Sequence, residues 1–322
     1  MTKATNILAL LVAALTLAGC AWVKSDYDDC PTGVWLKMTY TRNLLDVDAA
    51  PQQVADVAVL VFDCDGNYVR RIEADRATLA QNDWRIELGG LPGGHYDLIV
   101  WGGLADSRFM ASSASQMADF RVSLANPERV QDTEFADLFY GRMDSVEVAD
   151  KHAIYNVGMT KDTNVLACQV ASLSGNVEPD RYDISLTATN GVLNAYNETA
   201  VGSTVAYAPF AQRNDTIDDA ESGPLPAVTY GLKTIRLTEG DDSRLVLTDK
   251  ADGTVLLSLP LTKYLAQTAS LYTHGGRPLT AAEYLDRQDF HTIVFFLSES
   301  GSQVVQCKIN NWVIRMNGSI NL

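Results

Sequence analysis

Leu17-Ala18-Gly19-Cys20 closes an uncharged apolar run, Ile7 to Leu17, that follows a single cation at Lys3. This is the pattern of a signal peptide ended by a lipobox. Its reactive atom is the Cys20 thiol, which accepts diacylglycerol; cleavage before Cys20 then leaves an acylated amino terminus. The apolar run has 11 residues, against the roughly 20 that a membrane-crossing helix needs, so it directs export and is removed. Each buried CH2 contributes about 0.8 kcal/mol, so about two or three acyl chains on one cysteine hold a protein on a membrane without a second anchor.

The remaining chemistry-bearing residues form no catalytic pattern. Cys30, Cys64, Cys168 and Cys307 are left once Cys20 is set aside, which allows three pairings in an exported protein. No two of them stand in a Cys-x-x-Cys spacing, so they read as structural, either bridged or buried. His95, His152, His274 and His291 are far apart in the chain, and no Gly-x-Ser-x-Gly, Gly-x-x-x-x-Gly-Lys or His-Glu-x-x-His segment occurs. We therefore expect no enzyme, no metal and no cofactor. Asp63-x-Asp65-x-Asn67 begins like a calcium loop, but Tyr68 stands where that loop needs glycine and Ala74 where it needs glutamate. A hairpin turn is the better reading there, and Asp241-Asp242 and Asp249 with Asp252 read as acidic turns. Asp144-Ser145-Val146 and Asp215-Thr216-Ile217 resemble bacterial O-glycosylation acceptors.

Asp26, Asp28 and Asp29 make the segment after Cys20 an acidic tether. Acidic residues in that place resemble a surface-export signal of lipoproteins, so the expected location is the cell outer membrane, lipid-anchored and surface-exposed, with the inner leaflet as the other possibility. Removing residues 1–19 from 322 leaves 303, and since Lys3 goes with them the net charge passes from −15 to −16. Such a surface repels polyanions, so no nucleic-acid partner is expected.

Short runs rich in valine, isoleucine, tyrosine and tryptophan recur between turn residues from Gly33 to Trp101 and again from Val165 to Ile314. Asp63-Cys64-Asp65-Gly66-Asn67 and Leu91-Pro92-Gly93-Gly94 are the clearest turns. Residues 111–137 read as a long loop or short helix, and Lys263 to Leu271 with Ala281 to Gln288 as polar helical surface connections. The pattern predicts an all-β chain divided as signal peptide 1–19, lipidated tether 20–30, and two tandem β-sandwich domains, 31–160 and 161–322.

Several segments in order resemble the FimB-like family of fimbrial anchor lipoproteins, the basal subunits of type V pili. They are Asp29-Cys30-Pro31 with Gly33-Val34; Val59-Leu60-Val61-Phe62-Asp63 with Gly66; Leu91-Pro92-Gly93-Gly94-His95-Tyr96 and Val100-Trp101-Gly102-Gly103-Leu104; Thr234-Ile235-Arg236-Leu237; Tyr284-Leu285-Asp286-Arg287-Gln288; and Asn310-Asn311-Trp312-Val313-Ile314. The resemblance implies transthyretin-like topology for both sandwiches and a role as the membrane-attached base of a pilus, with pilin subunits as partners. It also implies that the strand from Val34 to Tyr40 stays in its own groove and ends assembly there, which makes Val34, Leu36 and Met38 candidate contacts. Trp312 and Ile314 belong either to a strand donated to a neighbour or to a plain final strand. The other class of function is a glycan-binding or adhesin surface lipoprotein, with Trp22, Tyr27 or Trp35 as stacking platforms.

Overall fold

A computed structural model describes residues 33–172, 174–175, 177–200, 204–219, 223–310 and 312–315. The lipobox, Cys20, the acidic tether with Trp22 and Tyr27, and Cys30 lie outside the described residues, as does the end of the expected donor segment after Arg315.

The first half contains strands β1 (Val34–Thr39), β2 (Asp56–Asp63), β3 (Tyr68–Asp75), β4 (Arg85–Glu87), β5 (Gly94–Gly102), β6 (Phe109–Ala111), β7 (Arg121–Leu124), β8 (Phe139–Val148), β9 (Ala153–Gly158) and β10 (Thr160–Lys161), with short helices α1 (Ala50–Gln53) and α2 (Arg76–Gln81). The second half contains β11 (Thr163–Ser172), β12 (Tyr182–Ala188), β13 (Val192–Asn194), β14 (Val205–Tyr207), β15 (Ala211–Asp219), β16 (Gly223–Ile235), β17 (Arg244–Asp249) and β18 (Val255–Pro260). It then continues through helix α3 (Leu261–Gln267), β19 (Thr273–His274), β20 (Arg277–Pro278), helix α4 (Ala281–Arg287), β21 (Phe290–Leu297), β22 (Val304–Ile309) and β23 (Trp312–Arg315). The chain is all-β, as its alternation and turn residues predict.

Two pairs of facing sheets carry the architecture. In the first, β4-β1-β9 covers β10-β8-β5-β2-β3; in the second, β14-β12-β17-β18 covers β15-β16-β11-β21-β22-β23. One apolar cluster joins Val34, Leu36 and Met38 of β1 to Val57, Val59 and Val61 of β2 and to Leu98 and Val100 of β5. The opposite face of the same central sheet is also buried, because Leu60, Phe62, Ile99 and Trp101 pack with Phe109, Phe120, Val122 and the core of the second half. A strand buried on both faces has no wet side to alternate with, which explains why Val57 to Phe62 is a continuous apolar run.

Residues 111–137 hold more order than a loop: after a single 3-10 turn at Met117–Asp119, β7 pairs with β6 and, across the middle of the chain, with β13. Strands of three and four residues are too short to show a period in sequence. Phe139–Val148 runs through as one strand, shifting register against β5 between Tyr96 and Leu98. Strand β15 was hidden by its polar composition and exists because it folds back on β16 over nine residue pairs. The helical segments are correctly placed but are not surface connections: Leu261, Leu265, Tyr284 and Leu285 are buried in the core. Thr280 and Glu283 cap α4 reciprocally.

Candidate functional site

β1 lies in a slot. It pairs in parallel with β9 over six residues, from Val34 opposite Ala153 to Thr39 opposite Gly158, and antiparallel with β4 from Trp35 to Lys37. Further backbone bonds close its ends: Ala153 donates to Gly33, Leu88 to Val34 and Met159 to Thr39. Alternation sends Val34, Leu36 and Met38 inward, where all three are buried, and Tyr40 meets the Phe139 ring edge-on at 5.3 Å. Burial of side chains this large contributes about 1.5–3 kcal/mol each, a sum comparable with the total stability of roughly 5–15 kcal/mol of a domain. An empty slot is therefore not a stable state of this fold. On the outward face Lys37 pairs with Asp83 at 2.9 Å, and Trp35 is half-buried with the Arg85 guanidinium 6.0 Å from its ring, so it is no open stacking platform.

The six-stranded sheet ends on two unlike edges. β23 pairs with β22 from Ile309 opposite Trp312 to Gln306 opposite Arg315. The turn depends on Asn310, at φ +52°, whose side chain accepts from the Thr292 amide at 2.9 Å and donates to the Tyr284 hydroxyl at 2.7 Å. Ile314 packs toward the core, whereas Trp312 and Val313 are 39% and 42% exposed. The opposite edge, β15, is polar and carries Arg213, Asp215, Asp218 and Asp219. Asp215 pairs with Arg213 at 3.3 Å, and Asp219 with Lys308.

Between β1 and the second sheet pair runs a charged seam that sequence reasoning missed. Lys161 reaches Asp137 at 2.9 Å and Asp289 at 2.7 Å, and Lys233 reaches Asp137 at 2.8 Å. Burial opposes the shift, yet these two cations hold the Asp137 carboxyl below its ordinary range. Arg236 bonds Asp162 at 2.7 Å and Asp286 at 2.6 Å. Asp162 is wholly buried and also accepts from Asn197 at 3.0 Å, but one of its oxygens has no partner. Burial therefore raises its pKa to about 6, against the pull of Arg236 and Asn197. Arg236 and Asp286 both stand in segments that carry the family resemblance, but nothing local in the sequence marks them as ion-pair partners 50 residues apart.

Several of the groups that could do chemistry elsewhere are already engaged. The Asp63 carboxylate accepts from the amides of Asp65 and Asn67 at 3.0 and 2.8 Å, which spends it on the turn itself. Asp242 is bonded to Thr189, Asp249 to Arg181, and Asp241 to Ser243 and Thr262. His95 lies 3.3 Å from the Ser145 hydroxyl on the exposed surface, His274 lies 3.0 Å from Asp46, and His152 is exposed. His291 is buried, and burial lowers its pKa to about 4. Among the described residues no three histidine, cysteine, aspartate or glutamate side chains converge as metal ligands. Ser145 sits at φ +56° in β8, and Thr216 is exposed on β15. Among the described residues no helix is long and apolar enough to cross a membrane.

Residues 27–318 match the family model described as Mfa2, fimbrillin-A associated anchor proteins Mfa1 and Mfa2. The chain is 24% identical to the minor fimbrium anchoring subunit Mfa2 of Porphyromonas gingivalis, over 92% of this chain and 90% of that protein. Among solved structures, a candidate adhesin of Bacteroides thetaiotaomicron superposes with a TM-score of 0.77 at 27% identity, covering 89% of this chain and 99% of the other. The fimbrial anchor protein Mfa2 of P. gingivalis superposes with a TM-score of 0.66 at 20% identity, covering 89% of this chain and all of the other, a likeness of fold.

Proposed function

The chain belongs to the family of fimbrillin-A associated anchor proteins, and from that premise we propose that it is a lipid-anchored base of a fimbria that ends assembly by keeping its own first strand. The observation that carries this reading is the filled slot between β4 and β9, with Val34, Leu36 and Met38 buried in it. Strand-completing assembly needs an open groove with unpaired backbone and pockets for alternate side chains. Here β1 supplies both, so a neighbour has nothing to complete at this position and the fibre stops.

The remaining parts of the reading are a lipid on Cys20, an outer-membrane location facing outward, two transthyretin-like sandwiches divided near residue 160, and pilin subunits as partners. Trp312 and Ile314 are the contacts proposed for the first pilin, since among the described residues β23 ends the sheet with Trp312 39% exposed and Ile314 only partly buried against the core. The role is structural, not enzymatic. Deleting the gene tests it: fibres should lengthen or be shed into the medium, while fibres that stay attached at normal length would overturn it.

The likeness to a candidate adhesin favours a second reading, direct attachment to a surface glycan. Binding of the mature protein to a sugar array, in a strain whose fibres are unaffected by its loss, would select that reading.

A further inference from the structure

Past the end of β1 lies a hollow of about 590 Å³ lined by Arg42, Asp46, His274, Arg277, Glu283 and Arg287. Three elements build it. The loop after β1 brings Arg42 and Asp46, the β19–β20 hairpin brings His274 and Arg277, and α4 brings Glu283 and Arg287.

Each guanidinium is braced by a carboxylate. Arg42 donates through Nη2 to Asp286 at 2.6 Å. Arg287 donates through Nη1 to Asp46 at 2.6 Å and to the Asn43 carbonyl at 3.0 Å. Arg277 spends both terminal nitrogens on Glu283, and His274 Nδ1 lies 3.0 Å from the second oxygen of Asp46. A guanidinium carries five N–H donors in one rigid plane. Among the described residues, Nε and Nη1 of Arg42 and Nε and Nη2 of Arg287 have no hydrogen-bond partner. These two arginines are therefore held in place with most of their donors still to be used.

The lining sets three guanidiniums against two carboxylates, a cationic hollow on a chain of net charge −15. Asp286 is shared between Arg42 and Arg236, so counting that second pair adds one charge of each sign and leaves the excess in place. The two lining carboxylates are committed: hydrogen bonds from His274 and Arg287 hold Asp46 below its ordinary pKa, and Arg277 does the same for Glu283. An acidic group is what such a hollow attracts.

The rim narrows the choice of acid. Leu45, 79% exposed, and Val47, also exposed, flank Asp46, and exposed Leu271 stands three residues before His274. Among the described residues no aromatic side chain lines the hollow, so a sugar ring has no flat face to stack on, whereas aliphatic side chains beside a carboxylate meet an apolar rim. One helix joins the hollow to the β23 edge: α4 gives it Glu283 and Arg287, while Tyr284 of α4 accepts from Asn310, two residues before Trp312.

We propose that this hollow receives a carboxylate of the first pilin, from an aspartate or glutamate flanked by aliphatic residues, and that Arg42 and Arg287 grip it. The proposal rests on the anchor reading above and gives it a second contact of defined chemistry beside the β23 edge. A carboxylate accepts two parallel N–H bonds from one arginine, and arginines already braced lose little freedom on binding.

The test titrates the detergent-solubilised full-length protein with acetyl-Leu-Asp-Leu-amide and follows the arginine Nε–H signals by NMR. The signals of Arg42 and Arg287 should move, and the peptide with asparagine in place of aspartate should bind at least about tenfold more weakly. Arg42→Gln should cost the aspartate peptide about tenfold in affinity, and Arg244→Gln, on β17, should cost nothing. Signals that stay still, equal binding of the two peptides, or tighter binding of glucuronate or inorganic phosphate overturns the proposal. In cells, an Arg42→Gln/Arg287→Gln protein retained in the membrane should release fibres into the medium. Where gene loss sheds fibres but this variant keeps them, the proposal fails and the anchor reading stands. Where gene loss leaves fibres attached, the anchor reading fails, and the peptide titration alone decides whether the hollow takes a carboxylate.

Discussion

Arg42, just beyond β1, donates to Asp286 on α4 at 2.6 Å, and the second oxygen of that carboxylate accepts from Arg236, also at 2.6 Å. One carboxylate therefore joins the strand in the slot to the second sheet pair. Arg42 is half-exposed, so Arg42→Ala should cost no more than about 1 kcal/mol. Asp286→Ala strips a largely buried cation of one partner and should cost about 3 kcal/mol. Urea denaturation of the two variants compares them.

The slot makes a sharper claim about β1. Leu36 is fully buried, so Leu36→Ala should destabilise by about 2–5 kcal/mol. Trp35, its neighbour on the outward face, should cost about 1 kcal/mol when replaced by alanine. Equal losses at both positions, read from denaturation midpoints, would mean that β1 is not alternately buried.

Asp162 and His291 should give opposed pH dependences. The folded pKa of Asp162 is raised to about 6 from an ordinary 3.8, so its contribution is full below about pH 4 and is lost as pH rises through 6. The folded pKa of His291 is lowered to about 4 from 6.5, so its contribution is full above pH 6.5 and is lost as pH falls through 4. Asp162→Asn should make the loss of stability from pH 6 to pH 4 steeper by on the order of 2 kcal/mol. His291→Gln should make it shallower. Urea unfolding at several pH values measures both slopes.

At the β23 edge, stability and attachment should separate. Trp312→Ala and Val313→Ser remove half-exposed side chains and should each cost about 1 kcal/mol or less. Recovery of fibres with the cell pellet should nevertheless fall. Normal attachment by both variants would remove this edge from the proposed contact.

Cys20→Ala should move the protein from the membrane fraction to the soluble fraction, and fibres with it. Membrane retention of that variant after a salt wash would show that another group holds the chain.

Much of this was legible in residues. The strand from Val34 to Tyr40, the hairpin at Asp63 to Asn67 and the final hairpin leading to Trp312 follow from alternation and turn chemistry, which act over a few residues. The charged seam did not, because Lys161, Asp137, Lys233 and Asp289 meet only after both sheet pairs have closed. Lys161-Asp162-Thr163-Asn164 reads as the boundary between the two domains, yet Asp162, Thr163 and Asn164 are buried, since their partners come from segments far along the chain. β15 was invisible for a related reason: its register is set by β16 and not by any apolar period of its own.

That polar strand carries a further meaning. A flat outer strand invites a second copy of the same chain to continue the ladder, but charged side chains along it discourage the addition. Gln212-Arg213-Asn214-Asp215 and Asp218-Asp219 line β15, on a protein whose charge is already strongly negative. If the protein is held on a bilayer as proposed, neighbouring copies would thus be discouraged from pairing through that strand.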